Sequence, residues 1–258
     1  MSIRRRTAGI EMTIGALLGS GQVAEVFEWG EAVIKLYRPG RGKAQAFAEA
    51  ANLARLEGRG LPLPRVHSVL EVEGRWGLVM DRAPGGTFAE AMQDDAARMP
   101  DLLAVVVGLQ VTLHEQSGHG LVRHRDRLAR QIGAAVQLSP GERVDLLRRL
   151  DQLPDGDRLC HGDFHPFNVM GRPENAMIVD WLDAAQGAPA ADACRSYLLL
   201  LHHSPDVATL FLEIYLAQTG LVRGDVLAWL PVLAAARLAE HVPAEDARLL
   251  ALARGRTE

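Results

Sequence analysis

The sequence predicts an α+β protein with two lobes: a small N-terminal lobe built on an antiparallel β-sheet with one helix, and a larger, mostly helical C-terminal lobe. Short β-type runs separated by glycine turns fill the first third of the 258 residues, and apolar residues at helical spacing dominate the rest. The segment Arg-Ala-Pro-Gly-Gly separates the two patterns and disfavours both helix and strand. We therefore expect a first lobe at 1–81, a hinge at 82–86 and a second lobe at 87–258.

Turn residues separate the predicted strands of the first lobe. Gly19-Ser20-Gly21 and Gly30-Glu31 are typical of hairpin connections. An Ala-rich stretch with helical character stops at Gly58, a residue type that commonly ends helices. The predicted strands are 13–18, 23–29, 32–37, 66–72 and 76–80, and the predicted helix is 43–57.

The second lobe is predicted to be helical apart from one island. Between residues 158 and 181 the pattern indicates a short strand, a polar loop, a hairpin through 172–175 and an apolar run that ends on Asp180. The predicted helices are 98–116, 127–137, 142–150, 190–202, 206–218, 223–238 and 244–253.

Composition and charge exclude several classes of protein. There are 28 Lys and Arg residues against 32 Asp and Glu, a net charge of −4, so nucleic acid is not expected as a partner. Cys160 and Cys194 are too few for a disulfide framework. No run of eighteen apolar residues suggests a membrane span. We expect a soluble, cytoplasmic protein with no membrane partner; the sequence carries no signal for an oligomeric state.

The densest polar cluster runs from His161 to Asn168, as His-Gly-Asp-Phe-His-Pro-Phe-Asn, and Asp180 follows at the end of an apolar strand. Phosphoryl transfer requires a carboxylate that orients a hydroxyl and oxygen ligands that hold Mg²⁺ against nucleotide phosphates. Asp163 could supply the first, and Asn168 and Asp180 the second.

Two other functions remain open for these residues. His161, Asp163 and His165 alternate as metal ligands could, with Asp180 completing the site of a metal-dependent hydrolase. That hypothesis gives no role to Asn168 or to the first lobe. The chain could also be a catalytically silent nucleotide-binding module, and His161 and His165 could serve only to hydrogen-bond the loop.

Two features of the first lobe suit a nucleotide. Gly19-Ser20-Gly21 would let backbone N–H groups approach phosphates, although an ordinary hairpin uses the same residues. Lys35 lies between apolar neighbours and, if buried, requires a counter-ion; Glu49 in the predicted helix is the natural one. Alternatively, both side chains face solvent.

Taken in order, the glycine-rich hairpin, Val-Ile-Lys, the helix glutamate, the hinge, His-Gly-Asp-x-His-Pro-x-Asn and Ile-Val-Asp-Trp resemble the aminoglycoside phosphotransferase and choline kinase-like family of small-molecule kinases. The resemblance runs from about residue 13 to about residue 200, and its most specific part is the block at 160–168 with 178–183. It implies a protein-kinase-like fold, ATP and Mg²⁺ as cofactors, and a small-molecule hydroxyl as the phosphate acceptor.

The resemblance also implies a role for each matching residue. Asp163 would be the catalytic base, and Asn168 and Asp180 would bind Mg²⁺. Lys35, positioned by Glu49, would contact the α- and β-phosphates. The remaining nucleotide-binding residues would be Gly19, Ser20, Gly21 and the backbone of Met80, Asp81 and Arg82, which would receive the adenine. The catalytic loop would be supported by His161, His165 and Asp192, although Asp192 could equally be a helix N-cap or a surface acid.

Departures from the pattern concern the loop and the acceptor. Phe167 stands where family members often have a small residue, and Gly162 replaces the Arg of the protein-kinase His-Arg-Asp. Without that Arg, a phosphate-operated switch is not expected. In family members that modify aminoglycosides, acids line the pocket and meet a polycationic substrate. Here the acids near the C-terminus are scattered, so the sequence does not establish an antibiotic substrate. Candidates for the acceptor pocket, by chain position only, are Asp183, His202, His203, Glu213 and Tyr215.

Overall fold

The computed structural model describes residues 5–7, 10–12, 14–40 and 42–256, and the chain divides into two compact units. Unit 1 comprises Met1–Thr87 and Val169–Leu182, and unit 2 comprises Phe88–Asn168 and Asp183–Glu258. An antiparallel N-terminal sheet and a mostly helical remainder confirm the predicted α+β class.

The secondary structure follows the chain in this order. The strands are β1 (Arg5–Thr7), β2 (Ile10–Met12), β3 (Leu17–Ser20), β4 (Ala24–Trp29), β5 (Ala32–Tyr37), β6 (Val66–Val72), β7 (Arg75–Asp81), β8 (Val122–Arg123), β9 (Arg158–Cys160), β10 (Val169–Met170), β11 (Met177–Ile178) and β12 (Ala185–Gly187). The helices are α1 (Gly42–Leu56), α2 (Phe88–Asp94), α3 (Met99–Glu115), α4 (His124–Ala134), α5 (Pro140–Gln152), α6 (Pro189–His203), α7 (Pro205–Thr219), α8 (Arg223–Leu227), α9 (Leu230–Arg237) and α10 (Asp246–Ala253).

Unit 1 is built on an antiparallel sheet with the strand order β3-β4-β5-β7-β6. The central strand β5 is buried along most of its length, because Ile34 and Leu36 pack with Val79 of β7 in one core cluster. The first hairpin differs from its prediction: β3 begins at Leu17 and includes Gly19, with a bulge between them. Position 13, where a strand was predicted to begin, lies outside the described residues.

The segment 169–182 was counted with the second lobe in the sequence-based division, but its contacts place it in unit 1. Strands β10 and β11 form a two-stranded hairpin. Two backbone hydrogen bonds attach this hairpin to unit 1, from Gly171 N to Gly86 O at 2.9 Å and from Ile178 N to Pro62 O at 2.7 Å. Asp180 therefore belongs with the N-terminal sheet.

Unit 2 consists mainly of helices, with a small sheet in the order β8-β12-β9. Helix α2 and strands β8 and β12 were not predicted, because they are too short to show a hydrophobic period. The helix predicted at 223–238 is instead two helices, α8 and α9. Pro231 explains the break, because proline lacks the N–H that a continuous helix needs and is tolerated in the first turn of a new one.

The segment Ala96–Glu115, which contains α3, is long and apolar enough to cross a membrane by length and composition. Two of its polar side chains are instead buried against α6. Gln110 and His114 are both buried and both contact the carboxylate of Asp192 on α6. Helix α3 is therefore a packed core helix of unit 2.

Candidate active site

Lys35 is the central charged group of unit 1. It lies on β5 with only 4% of its surface exposed. Its Nζ lies 2.8 Å from Glu49 Oε2 and 2.8 Å from Asp180 Oδ1. Burial alone would lower the pKa of Lys35, but the charges of Glu49 and Asp180 outweigh it and raise the pKa above its usual value. Lys35 is therefore a fixed ammonium ion.

Glu49 connects α1 to the segment that carries Asp180. Its carboxylate is fully buried and also accepts hydrogen bonds from the Tyr37 hydroxyl and, at 3.2 Å, from the backbone N–H of Trp181. Nearby on α1, the Asn52 amide donates to the carbonyl of Trp181 at 3.0 Å. Helix α1 thereby fixes the backbone beside Asp180.

Asp180 has a left-handed backbone with φ +64°, a conformation that non-glycine residues adopt at a cost of about 1–3 kcal/mol. Its side chain is 36% exposed. Oδ1 accepts from Lys35, whereas Oδ2 has no hydrogen-bond partner in the described part of the chain. The bond to Lys35 thus positions the Asp180 side chain through Oδ1, and Oδ2 is available to bind a ligand.

The turn from Gly19 to Gly21 is exposed and is held from one side. The Arg38 guanidinium donates to Ser20 Oγ at 3.0 Å and to the Gly21 carbonyl at 3.0 Å. A Cβ built at Gly19 would meet nothing within 4 Å. The protein's own packing therefore leaves the backbone at Gly19 open to approach.

The segment 80–82 lies at the end of β7, where Met80 is buried. The backbone N–H of Asp81 already donates to the Arg65 carbonyl at 3.0 Å. Arg82 forms an exposed ion pair with Glu28 at 3.0 Å. Because the Asp81 N–H is occupied, an adenine at this segment would have to bind other backbone groups.

In unit 2, Asp163 lies on the loop that follows β9. Its carboxylate is 3.5 Å from His165 Nε2 and 3.5 Å from Arg195 Nη2, and Asn168 Nδ2 donates to its carbonyl at 2.9 Å. Burial would raise the pKa of Asp163, but the hydrogen bond and charge of His165 and the charges of Arg195 and His161 hold it well below its usual range. Asp163 is an ionised, oriented carboxylate at pH 7.

The loop before Asp163 is fixed by its backbone. His161 N and Gly162 N donate to the carboxylate of Asp192 at 3.2 and 2.7 Å. Gly162 has φ +83°, and a Cβ there would lie 2.4 Å from the Asp183 carbonyl oxygen, so only glycine fits. The His161 ring is buried, and its Nδ1 accepts from Asp163 N at 3.4 Å.

Asp192 lies inside α6, whose N-cap is Ala188, so the N-cap alternative for Asp192 is wrong. The carboxylate is fully buried and accepts from Gln110 at 2.9 Å, with His114 Nε2 at 3.0 Å. Burial would raise the pKa of Asp192, but these partners and the loop amides hold it well below its usual range. Asp192 therefore stays ionised and holds two amides of the loop.

Sequence reasoning missed Gln110, His114 and Arg195. Arg195 lies three residues after Asp192, a spacing that places both side chains on one face of a helix, so a signal for it existed. For Gln110 and His114 no signal existed, because their contact with Asp192 depends on how α3 packs against α6.

The five acceptor-pocket candidates are found in different environments. Tyr215 is buried and its hydroxyl lies 2.9 Å from His114 Nδ1. Glu213 is exposed and has Arg223 at 3.9 Å. Asp183 lies 3.5 Å from Arg127. His202 and His203 lie in a series of ring contacts that continues to Phe167 and His165 of the Asp163 loop.

The geometry does not favour the metal-hydrolase hypothesis. Among the described residues, a single group brings three potential ligand side chains within 4.8 Å of one another, and it consists of His114, Cys160 and Asp192. It excludes His161, Asp163 and His165. Burial raises the pKa of the Cys160 thiol well above its usual value, which disfavours the thiolate that a metal needs.

Comparisons with known proteins show which family and which solved structures the chain resembles. The profile of the phosphotransferase enzyme family (APH) matches residues 18–230. No curated protein matches the chain. A thermostable mutant of aminoglycoside phosphotransferase APH(4)-Ia, solved with ADP and hygromycin B, has a TM-score of 0.70 and 16% identity over 95% of this chain and 92% of its own.

Two further solved structures share the fold. Choline kinase LicA from Streptococcus pneumoniae has a TM-score of 0.64 and 16% identity, over 94% of this chain and 92% of its own. Aminoglycoside phosphotransferase APH(3'')-Id from Streptomyces rimosus, solved with ADP and streptomycin, has a TM-score of 0.61 and 19% identity, over 82% of this chain and 91% of its own.

These neighbours define the class, because their similarity extends over most of each chain: the protein has the kinase-like fold of small-molecule phosphotransferases, as predicted. The match over residues 18–230 then shows that the chain belongs to the phosphotransferase enzyme family. The metal-hydrolase hypothesis is therefore wrong.

Proposed function

We propose that this phosphotransferase transfers the γ-phosphate of ATP to the hydroxyl group of a small molecule, with Mg²⁺ as cofactor. The observation that carries the proposal is Asp163, an ionised carboxylate held by three side chains, His165, Arg195 and Asn168. Phosphoryl transfer depends on positioning and charge more than on covalent chemistry, and such a carboxylate suits it. The ADP in two structural neighbours supports nucleotide use.

Asp163 would orient the acceptor hydroxyl and accept its proton. Because its pKa lies well below 7, Asp163 is a weak base toward a free alcohol. We therefore assign it chiefly to orienting the hydroxyl, with the proton accepted late, as the bond to phosphorus forms. His165 and Arg195 keep the carboxylate in place during this step.

Asn168 and Asp180 each have an oxygen atom that could bind Mg²⁺. Asn168 uses its amide nitrogen to donate to Asp163, which leaves its amide oxygen without a hydrogen-bond partner in the described residues. Asp180 likewise has one open carboxylate oxygen. Hard oxygen atoms are the ligands that Mg²⁺ prefers. Asn168 and Asp180 would hold the ion, which would neutralise charge on the phosphates.

Lys35 would contact the α- and β-phosphates of the nucleotide. Its ammonium is held by Glu49 and Asp180, so the positive charge is fixed before the nucleotide binds. The open backbone at Gly19-Ser20-Gly21 would cover the phosphates, and the segment 80–82 would receive the adenine through groups other than the Asp81 N–H. His161 and Asp192 would support the loop.

Two substitutions separate the role of Asp163 in turnover from the role of Asp180 in binding Mg²⁺ and ATP. We expect Asp163→Asn to lower turnover by about 10²-fold or more while nucleotide binding is retained, because a general base contributes about that much. We expect Asp180→Asn to remove the Mg²⁺-dependent rise in melting temperature that ATP produces, since a ligand at a hundred times its Kd stabilises a protein by about 2.7 kcal/mol. Asp94→Asn, at an exposed acid of α2, is the matched control.

Melting curves with and without ATP and Mg²⁺, together with phosphate transfer to a panel of alcohols, give both readouts. Full turnover in Asp163→Asn would contradict its role as base. A nucleotide-dependent shift without transfer to any acceptor would instead favour the catalytically silent module.

A further inference from the structure

Four aromatic side chains of unit 2 form a continuous series that begins at the Asp163 loop. His165, Phe167, His203 and His202 contact one another in that order, with ring centroids 5.8, 5.7 and 5.2 Å apart. We call this set the aromatic surface. We propose that it recognises the phosphate acceptor, and that the acceptor is an uncharged alcohol with an aromatic ring. This inference rests on the proposed function.

The aromatic surface starts at the reacting group. His165 Nε2 lies 3.5 Å from Asp163 Oδ2, and Phe167 is the residue directly before Asn168. A hydroxyl that Asp163 orients therefore lies beside His165, and the next ring outward along the surface is Phe167. The acceptor's carbon skeleton must extend from that hydroxyl, and the aromatic surface is one direction in which it meets side chains rather than water.

Phe167 is available for contact. It is 42% exposed, although a phenyl side chain gains free energy by leaving water. His165 meets it at an interplanar angle of 73° and His203 at 49°, so neither histidine stacks parallel on the phenyl ring. His165 already supplies an edge-to-face partner, and aromatic rings also favour offset-stacked partners, which an aromatic ring of the acceptor could supply.

The charges around the aromatic surface are paired, which disfavours a polycation. Glu240 binds Arg195 at 2.7 Å and Arg237 at 2.8 Å. Glu245 binds Arg237 through both carboxylate oxygens and lies 3.8 Å from His202. Each of these carboxylates already has an arginine, so neither offers the unpaired negative charge that a polyamine substrate needs.

His203 adds no charge to the surface at pH 7. Burial, followed by the neighbouring His202 and His165, lowers the pKa of His203 from its usual value of 6.5. The imidazole next to Phe167 is therefore neutral and contributes a ring face and hydrogen-bonding nitrogens. A neutral ring-bearing alcohol matches a surface of this composition.

The test compares four acceptors on the wild-type enzyme: 2-phenylethanol, 2-cyclohexylethanol, choline and hygromycin B. We expect the highest kcat/KM for 2-phenylethanol. We expect Phe167→Ala to raise the KM for 2-phenylethanol by about tenfold with kcat and the KM for ATP unchanged, since an aromatic contact is lost while the catalytic groups remain. Phe167→Leu keeps apolar contact without the ring and should be intermediate.

The matched control is Val222→Ala, which shortens another exposed apolar side chain of unit 2, one that is 64% exposed. Each alcohol is also titrated calorimetrically into wild type and Phe167→Ala in the presence of ADP, which carries no γ-phosphate, so that recognition is measured without turnover. A preference for choline or hygromycin B, or equal binding of 2-phenylethanol to wild type and Phe167→Ala, would overturn the inference. If ATP fails to shift the melting temperature, the proposed function itself fails, which is a separate result.

Discussion

Arg195 Nη2 lies 3.5 Å from Asp163 Oδ1, and Nε of the same guanidinium donates to the Gly162 carbonyl at 3.3 Å. Helix α6 thus supplies an arginine to this loop from 33 residues beyond Gly162. Glu240 holds Nη2 at 2.7 Å. Gly162 stands where protein kinases have an arginine, yet the carboxylate of Asp163 still has one beside it.

Arg195 should act on the position of Asp163 and not on nucleotide affinity. We expect Arg195→Met to lower kcat by about a hundredfold, because a small misplacement of a reacting group costs that much, with the KM for ATP unchanged. Arg195→Lys restores the charge but cannot reach Asp163, Gly162 and Glu240 at once, so we expect partial rescue. Steady-state kinetics of both variants check this. An equal loss of kcat in Arg195→Lys and Arg195→Met, accompanied by a fall in melting temperature, would indicate a structural role alone.

Lys35 should be needed for folding stability as well as for function. Lys35→Met leaves Glu49 buried without its cation, and breaking a buried pair costs about 3–5 kcal/mol. Adding Glu49→Gln removes the buried charge and keeps an acceptor for Tyr37, so the double variant should be more stable than Lys35→Met alone. Urea unfolding measures the free energy of unfolding of wild type, Lys35→Met and the double variant. Lys43→Met, at an exposed lysine of α1 whose Nζ lies 4.6 Å from the centre of the Trp76 ring, should cost no more than about 1 kcal/mol. A double variant less stable than Lys35→Met alone would contradict the prediction.

Gly162 should tolerate no side chain. Gly162→Ala combines a positive φ with a Cβ 2.4 Å from the Asp183 carbonyl oxygen, so the loop must move. Gly220→Ala also has a positive φ, +70°, but its Cβ would meet nothing within 4 Å. We expect Gly220→Ala to cost about 1 kcal/mol in the free energy of unfolding, and Gly162→Ala to cost more and to reduce turnover. Equal effects of the two variants would mean that the loop relaxes around the added methyl group.

The strands β5 and β6 of unit 1 were predictable because their signals are local. Short β-type runs bounded by turn residues predicted β5 and β6 at their observed bounds, and Lys35 between apolar neighbours indicated the need for a counter-ion. What could not be predicted depends on packing between distant segments. The attachment of 169–182 to unit 1 rests on bonds to Gly86 and Pro62, and the Arg195–Asp163 contact rests on where α6 lies. The attachment leaves no periodic trace in the sequence, and the spacing of Arg195 from Asp192 indicates a shared helix face but not a contact with Asp163.

His124 should make the stability of the protein depend on pH between about 6.5 and 4. Its side chain is buried with Nδ1 unpartnered in the described residues, and burial, the largest cause, lowers the pKa from 6.5 to about 4. In this window the unfolded chain binds a proton at His124 that the folded protein does not, so the free energy of unfolding falls as pH falls. The full effect is on the order of 3 kcal/mol. His124→Gln removes the titrating group, so the stability difference between wild type and variant should change across this window, as measured by urea unfolding at pH 7, 6, 5 and 4.5. His119→Gln, at an exposed histidine, is the control for removing a histidine; parallel curves for wild type and His124→Gln would contradict the prediction.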